Sequence, residues 1–243
     1  MKNKYNSRNW HMYFYVGLLF LFAFSFNTHA QEQSKLSFGA RGGLASGSFT
    51  TINKVSIGSS QPGYQVGAFA SFNIKSYLSV SLEVLFSNTG AVNIDPEYFY
   101  SAENDALKNP IINSSIITNQ LSIPILISYN IVDAVDGVSP RVYLGGDYSF
   151  NMKTNSLNTS LNKFNGDIIY TNEFSDMGNR VASSDYGAII GAGLDIGSEK
   201  IIYTFDLRYR IGLSDINETT SSYINSEIKR DVFSIMLGVT YKL

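Results

Sequence analysis

The chain of 243 residues is 44% hydrophobic and 16% charged, has no cysteine and carries a formal net charge of −2. That composition excludes a disulfide framework and thiolate chemistry, and the mild acidity argues against a basic groove for nucleic acid. It leaves room for one large β domain or two small ones.

The first thirty residues differ from the rest. Lys2, Lys4 and Arg8 precede an apolar run, "YFYVGLLFLFAFSF", and small residues follow at Thr28 and Ala30. This order predicts a secretory signal peptide over residues 1–30, cut before Gln31, because the run is shorter than the roughly 20 residues of a membrane-spanning helix. No Cys follows the cut, so the acylated-lipoprotein route is closed. With the signal removed, 15 basic residues face 20 acidic ones, a net charge of about −5. His11, His29 and Trp10 leave with it, so the domain at 31–243 has no His, Cys or Trp.

From there the chain alternates with period two. "KLSFGARGGL" sets Leu36, Phe38, Ala40, Gly42 and Leu44 on one side, and "YQVGAFASFNI" does the same with Tyr64, Val66, Ala68, Ala70, Phe72 and Ile74. "YLSVSLEVLFS" opposes Leu78, Val80, Leu82, Val84 and Phe86 to Ser79, Ser81, Glu83 and Ser87. "QLSIPILISYNI" and "RVYLGGDYSFNM" follow, the latter with Arg141, Tyr143 and Asp147 opposite Val142, Leu144 and Tyr148. The last three segments, "DYGAIIGAGLDI", "IIYTFDLRYRIGL" and "VFSIMLGVTYKL", are the most regular. In the middle one, Leu207 and Tyr209 stand opposite Asp206, Arg208 and Arg210.

Eight segments of about ten to twelve residues exceed the usual soluble strand of about 5–6 and match the 9–11 needed to cross hydrocarbon at a tilt. The links at Lys75-Ser76, "VDAVDGVSP" and "GSEK" are short. Those near 45–63, 88–119, 153–184 and 214–231 are long, polar and rich in Asn, Ser and Thr. The predicted fold is an all-β, eight-stranded antiparallel up-and-down transmembrane barrel in the outer membrane, with short periplasmic turns, long outside loops and both termini in the periplasm. The soluble alternative, a β-sandwich with solvated charges, predicts shorter strands and no alternation of loop length. In the barrel the charges face inward, and burial requires Arg41, Glu83, Asp147, Asp195, Asp206, Arg208 and Arg210 to form a paired network, with Arg141 beside them.

At "LSIPILISYNI", between "SVSLEVLFSNTGA" and "RVYLGGDYSF", and at the opening "FGARGGLAS", the sequence resembles the outer-membrane β-barrel family of the PorT type, common in Bacteroidetes. The resemblance spans the domain and implies a non-enzymatic barrel working through partner contacts in envelope organisation or protein secretion. Pro124 in this motif predicts a bulge, since proline cannot donate to a closed ladder. The chain ends in Leu243, with Tyr241 two residues earlier, where such barrels often end in Phe.

No catalytic, cofactor or metal site emerges. "GAGLDIG" at 191–197 imitates a dinucleotide fingerprint, but a strand follows the glycines where the motif needs a helix. Its glycines read better as inward positions that leave room for Tyr143, Arg208 or Arg210. Without His, Ser-His and His-Asp arrangements are excluded, and Asp95 with Glu97 or Asp133 with Asp136 read as solvated loop acids. Tyr98, Phe99 and Tyr100 suit either surface contacts or loop packing. The expected partners are outer-membrane lipid and an envelope or secretion protein, with the barrel itself a monomer. The alternative is a small passive channel or a carrier of a hydrophobic molecule.

Overall fold

The structure, a computed structural model, describes residues 36–51, 56–94, 111–131, 137–164, 167–178, 180–197, 200–218 and 227–243. The expected signal peptide, Asp95, Glu97, the aromatic cluster at 98–100, and Asp133 with Asp136 lie outside these residues.

Among the described residues nine strands form one antiparallel sheet: β1 (Leu36–Thr51), β2 (Ser59–Lys75), β3 (Leu78–Ile94), β4 (Ile111–Asn130), β5 (Val138–Phe164), β6 (Asp167–Asp176), β7 (Ser184–Gly197), β8 (Ile201–Gly212) and β9 (Ile228–Lys242). Each pairs with its chain neighbour except around β6. β5 pairs with β4 along most of its length, with β7 over its first half and with β6 over its second. β9 pairs with both β8 and β1, so eight strands close into a ring and β6 stands outside it. Closure satisfies the backbone donors and acceptors that an open sheet would leave at its edges.

Within the ring the alternation sorts side chains by face. Leu207 is 40% exposed while its neighbour Arg208 is 3% exposed. The outer wall carries Phe38, Val66, Leu82, Ile125, Leu144, Ile190 and Leu237. Aromatic side chains mark both edges of this band: Tyr77 packs on Tyr129 at 5.7 Å near the termini, and Tyr64 on Phe86 at 6.2 Å and Tyr148 on Phe150 at 5.0 Å toward the far end. Such girdles are where amphipathic rings meet the edges of a hydrocarbon layer.

Most of the stretches expected as long loops are strand. β1 runs on to Thr51, β3 to Ile94 and β5 to Phe164, β4 begins at Ile111, and β6 is an added strand. In these extensions the inner face takes in apolar side chains beside polar ones such as Ser114, Thr118, Ser156 and Asn158. Phe49, Ile94, Ile116 and Ile228 point inward and are buried, joined by Ile57, Ala91, Met177, Val181 and Ile216 in one apolar core. Asn113, Ser115, Asn119 and Lys153 lie on the outer face. No continuous apolar outer row marks these segments, since Asn113, Ser115 and Asn119 stand on the outer face and Phe49, Ile94, Ile116 and Ile228 on the inner one.

Bulges manage the change. Gln120 pairs with Asn151 and Asn119 with Lys153, leaving Met152 as an extra residue on β5, and both Met152 and Lys153 are exposed. A second irregularity lies between Ala91 and Ile94, where Asn93 adopts φ 56°. The bulge expected at Pro124 is not there. On either side of it Leu82 pairs with Ile125 and Leu85 with Ser122, three residues apart on both strands, so no residue is inserted. The ladder to β3 is interrupted instead: proline omits its donor while the register continues.

Candidate functional site

The inward side chains of the ring meet in two ionic layers. In the layer nearer the termini, β8 supplies Asp206 and Arg208, β1 Arg41, β3 Glu83, β5 Arg141 and β7 Asp195. Arg208 donates to both oxygens of Glu83, Nη1 to Oε2 at 2.8 Å and Nη2 to Oε1 at 3.1 Å, a bidentate pair across the lumen. Arg41 lies between Glu83 at 3.2 Å and Asp206 at 3.1 Å. Arg141 donates to the other oxygen of Asp206 at 2.7 Å and has Asp195 within 3.4 Å. Three cations face three carboxylates, so the layer is neutral.

Aromatic rings complete this layer. The Arg41 guanidinium stacks over Phe69 at 4.0 Å, and Arg208 lies 5.3 Å from the centre of the Tyr143 ring. Tyr143 fits because residue 191 has no side chain: a Cβ there would stand 2.3 Å from its ring. A Cβ at Gly193 would likewise meet Asp206 at 2.6 Å. Gly191 and Gly193 of "GAGLDIG" are therefore clearances for the ionic layer, while Gly197 lies against the Ile201 backbone at the turn into β8.

The second layer combines Arg210, Arg230, Asp147 and Asp185. Arg210 donates through Nε to Asp147 at 2.9 Å and through Nη2 to Asp185 at 2.5 Å, and its Nη1 reaches the Arg230 carbonyl at 3.0 Å. Arg230 donates to Asp185 and, at 2.8 Å, to Asn151 Oδ1. Ser149 donates to Asp147 at 2.8 Å. Two cations meet two carboxylates, so this layer is neutral as well.

Between the layers lies a cavity of about 20 Å³ lined by Gln65, Ser122, Ser149 and Ser234 among others, room for about one water. Leu126, Tyr143 and Ile189 form a small apolar patch at the same level. Beyond the second layer the apolar core around Phe49 and Ile116 occupies the far end. Among the described residues no group of acidic or histidine side chains could hold a metal ion. The arrangement is chemically a filler, pairing each buried charge with an opposite one at a depth where an unpaired charge would cost several kcal/mol.

The seven charges expected to pair, and Arg141 beside them, lie in these layers. Asp185 and Arg230 belong with them but were not singled out. Asp185 occupies the polar row of its strand, a position that could have flagged it. Arg230 lies in the link expected near 214–231, where Ile228 and Val232 share its inward face and no apolar outer row signals a strand.

A family model described as "Outer membrane protein beta-barrel domain" matches residues 29–218. Among solved structures, similar folds include Neisserial surface protein A, at 14% identity over 88% of this chain and 100% of that one, with a TM-score of 0.45. The outer membrane protein OprG from Pseudomonas aeruginosa shares 17% identity over 88% and 99%, with a TM-score of 0.44. The E. coli Outer Membrane Protein W shares 15% over 88% and 100%, with a TM-score of 0.43. No curated protein matches the sequence. With the family model spanning most of the chain and an antiparallel eight-stranded ring in the structure, this protein belongs to the outer membrane β-barrel domain family.

Proposed function

We propose that this barrel is a non-enzymatic membrane scaffold that acts through partner contacts of its strand extensions, in envelope organisation or protein secretion as the PorT-type resemblance implies. The observation that carries this reading is the filled interior: two neutral ionic layers and an apolar core leave a cavity of only about 20 Å³ between them. A lumen so occupied is a poor conduit, whereas the projection of β4, β5 and β6 beyond the apolar band offers surface. With the termini in the periplasm after signal cleavage before Gln31, that projection faces the cell exterior. Phe174 on β6, 81% exposed, stands on it.

A photo-crosslinking residue in place of Phe174, activated in living cells, is expected to yield a discrete protein adduct that the same residue at Val66 does not. Adducts confined to lipid or absent at Phe174 count against the scaffold reading. Stepwise ion conductance of the intact protein in a planar bilayer would favour the channel instead.

A further inference from the structure

Among the described residues β6 borders a single strand. It pairs with β5 alone and ends the sheet, while β7 and β8, the ring strands on that side of β5, reach only Ser184 and Gly212 at this end. In an antiparallel ladder alternate residues turn their N–H and C=O groups to opposite neighbours, so every second residue of β6 presents both groups to its outer edge. Native sheets protect such edges with proline, lysine, a bulge or a covering element. β6, "DIIYTNEFSD", has neither proline nor lysine, and its ladder to β5 runs without a break from the pair Asn155 and Asp176 to the pair Phe164 and Asp167. Phe174 is 81% exposed, and Asp176 is exposed near it.

We infer that the outer edge of β6 receives an extended, lysine- or arginine-rich segment of a partner protein as an added strand. The regular ladder calls for a strand, because only extended backbone matches groups that recur at every second residue. Charge then selects the occupant. β6 carries Asp167, Glu173 and Asp176 and no cation. A second copy of β6 laid antiparallel in full overlap would set Asp167 opposite Asp176 at both ends, and like charges directly opposite destabilise a strand pair, whereas a basic strand brings opposite charges there. Phe174 gives the incoming strand an apolar neighbour. The inference rests on the scaffold reading and names its mode of contact and the class of partner.

Fluorescence anisotropy on the intact protein in detergent micelles tests it, with a labelled peptide of alternating threonine and lysine as long as β6. This peptide is expected to bind about ten-fold tighter than its counterpart with glutamate in place of lysine. N-methylation of alternate backbone nitrogens, which removes the ladder donors and keeps the charge, is expected to weaken it by about ten-fold as well. Glu173→Lys together with Asp176→Lys is expected to reverse the preference, and hydrogen exchange to show added protection of β6 amides when the basic peptide is bound. Heat-dependent gel mobility identifies a variant that does not fold, and the N-methylated peptide then carries the test on the unaltered protein. Equal binding of the two charge forms, binding indifferent to N-methylation, or a dimer joined through β6 would each overturn the inference. A protein adduct at Phe174 with no preference for the basic peptide overturns it too, and leaves the scaffold reading standing.

Discussion

At the scale of single residues, the interior behaves as a set of mutual obligations. Arg208→Met removes the partner of a carboxylate with no exposed surface, so urea unfolding is expected to show a loss of about 3–5 kcal/mol. Replacing Arg208 and Glu83 together by Met is expected to cost less than the single change, because a well-packed apolar pair leaves no uncompensated charge. If the single variant loses less than about 1 kcal/mol, this face is solvated. Gly191→Ala places a methyl group against the Tyr143 ring and is expected to cost about 1–3 kcal/mol by overpacking. Tyr143→Leu in the same chain is expected to recover part of that loss, which the same unfolding measurement reads.

At the scale of elements, a single strand changes its solvent partway along. β9 points Ile228 inward at its start and Phe233 outward five residues later, and β1 points Leu44 outward and Phe49 inward. The Met152 bulge keeps β5 in step with β4 across this change. Deleting Met152 is expected to leave Ser156 and Asn158 on the inner face, since Asn151 and Lys153 then follow one another opposite Gln120 and Asn119 in regular alternation. Hydrogen exchange is the measurement: protection of β6 amides is expected to persist along with that of β8 amides, and its selective loss would refute this register. Within the apolar band, Leu207→Arg is expected to destabilise the barrel by about 2–4 kcal/mol in a bilayer, and equal stability in the two proteins would refute a hydrocarbon-facing Leu207.

At the scale of the whole molecule, three closures act in series: the layer of Arg41, Arg141 and Arg208, the layer of Arg210 and Arg230, and the apolar core around Phe49 and Ile116. Removing one layer should not open a path while the others stand. Asp185→Asn is therefore expected to destabilise the barrel yet leave a planar bilayer silent, and steady conductance in this variant would show that the apolar core does not seal.

The sequence by itself determined which residues of each ring strand face hydrocarbon and how many strands close the ring. Both follow from a local rule: a pleat of period two sorts neighbours to opposite sides wherever the chain runs extended. "IIYTFDLRYRIGL" states that rule completely for β8. Tertiary structure alone decided which charges meet. Arg208 on β8 reaches Glu83 on β3 although β9, β1 and β2 stand between them around the ring. Such pairs depend on the stagger at which the ring closes, which sets the height of each strand relative to those across the lumen. The extensions were hidden for a related reason. Beyond the membrane band Phe49, Ile94, Ile116 and Ile228 turn inward among polar side chains, so the apolar outer row that marks a membrane strand is missing there.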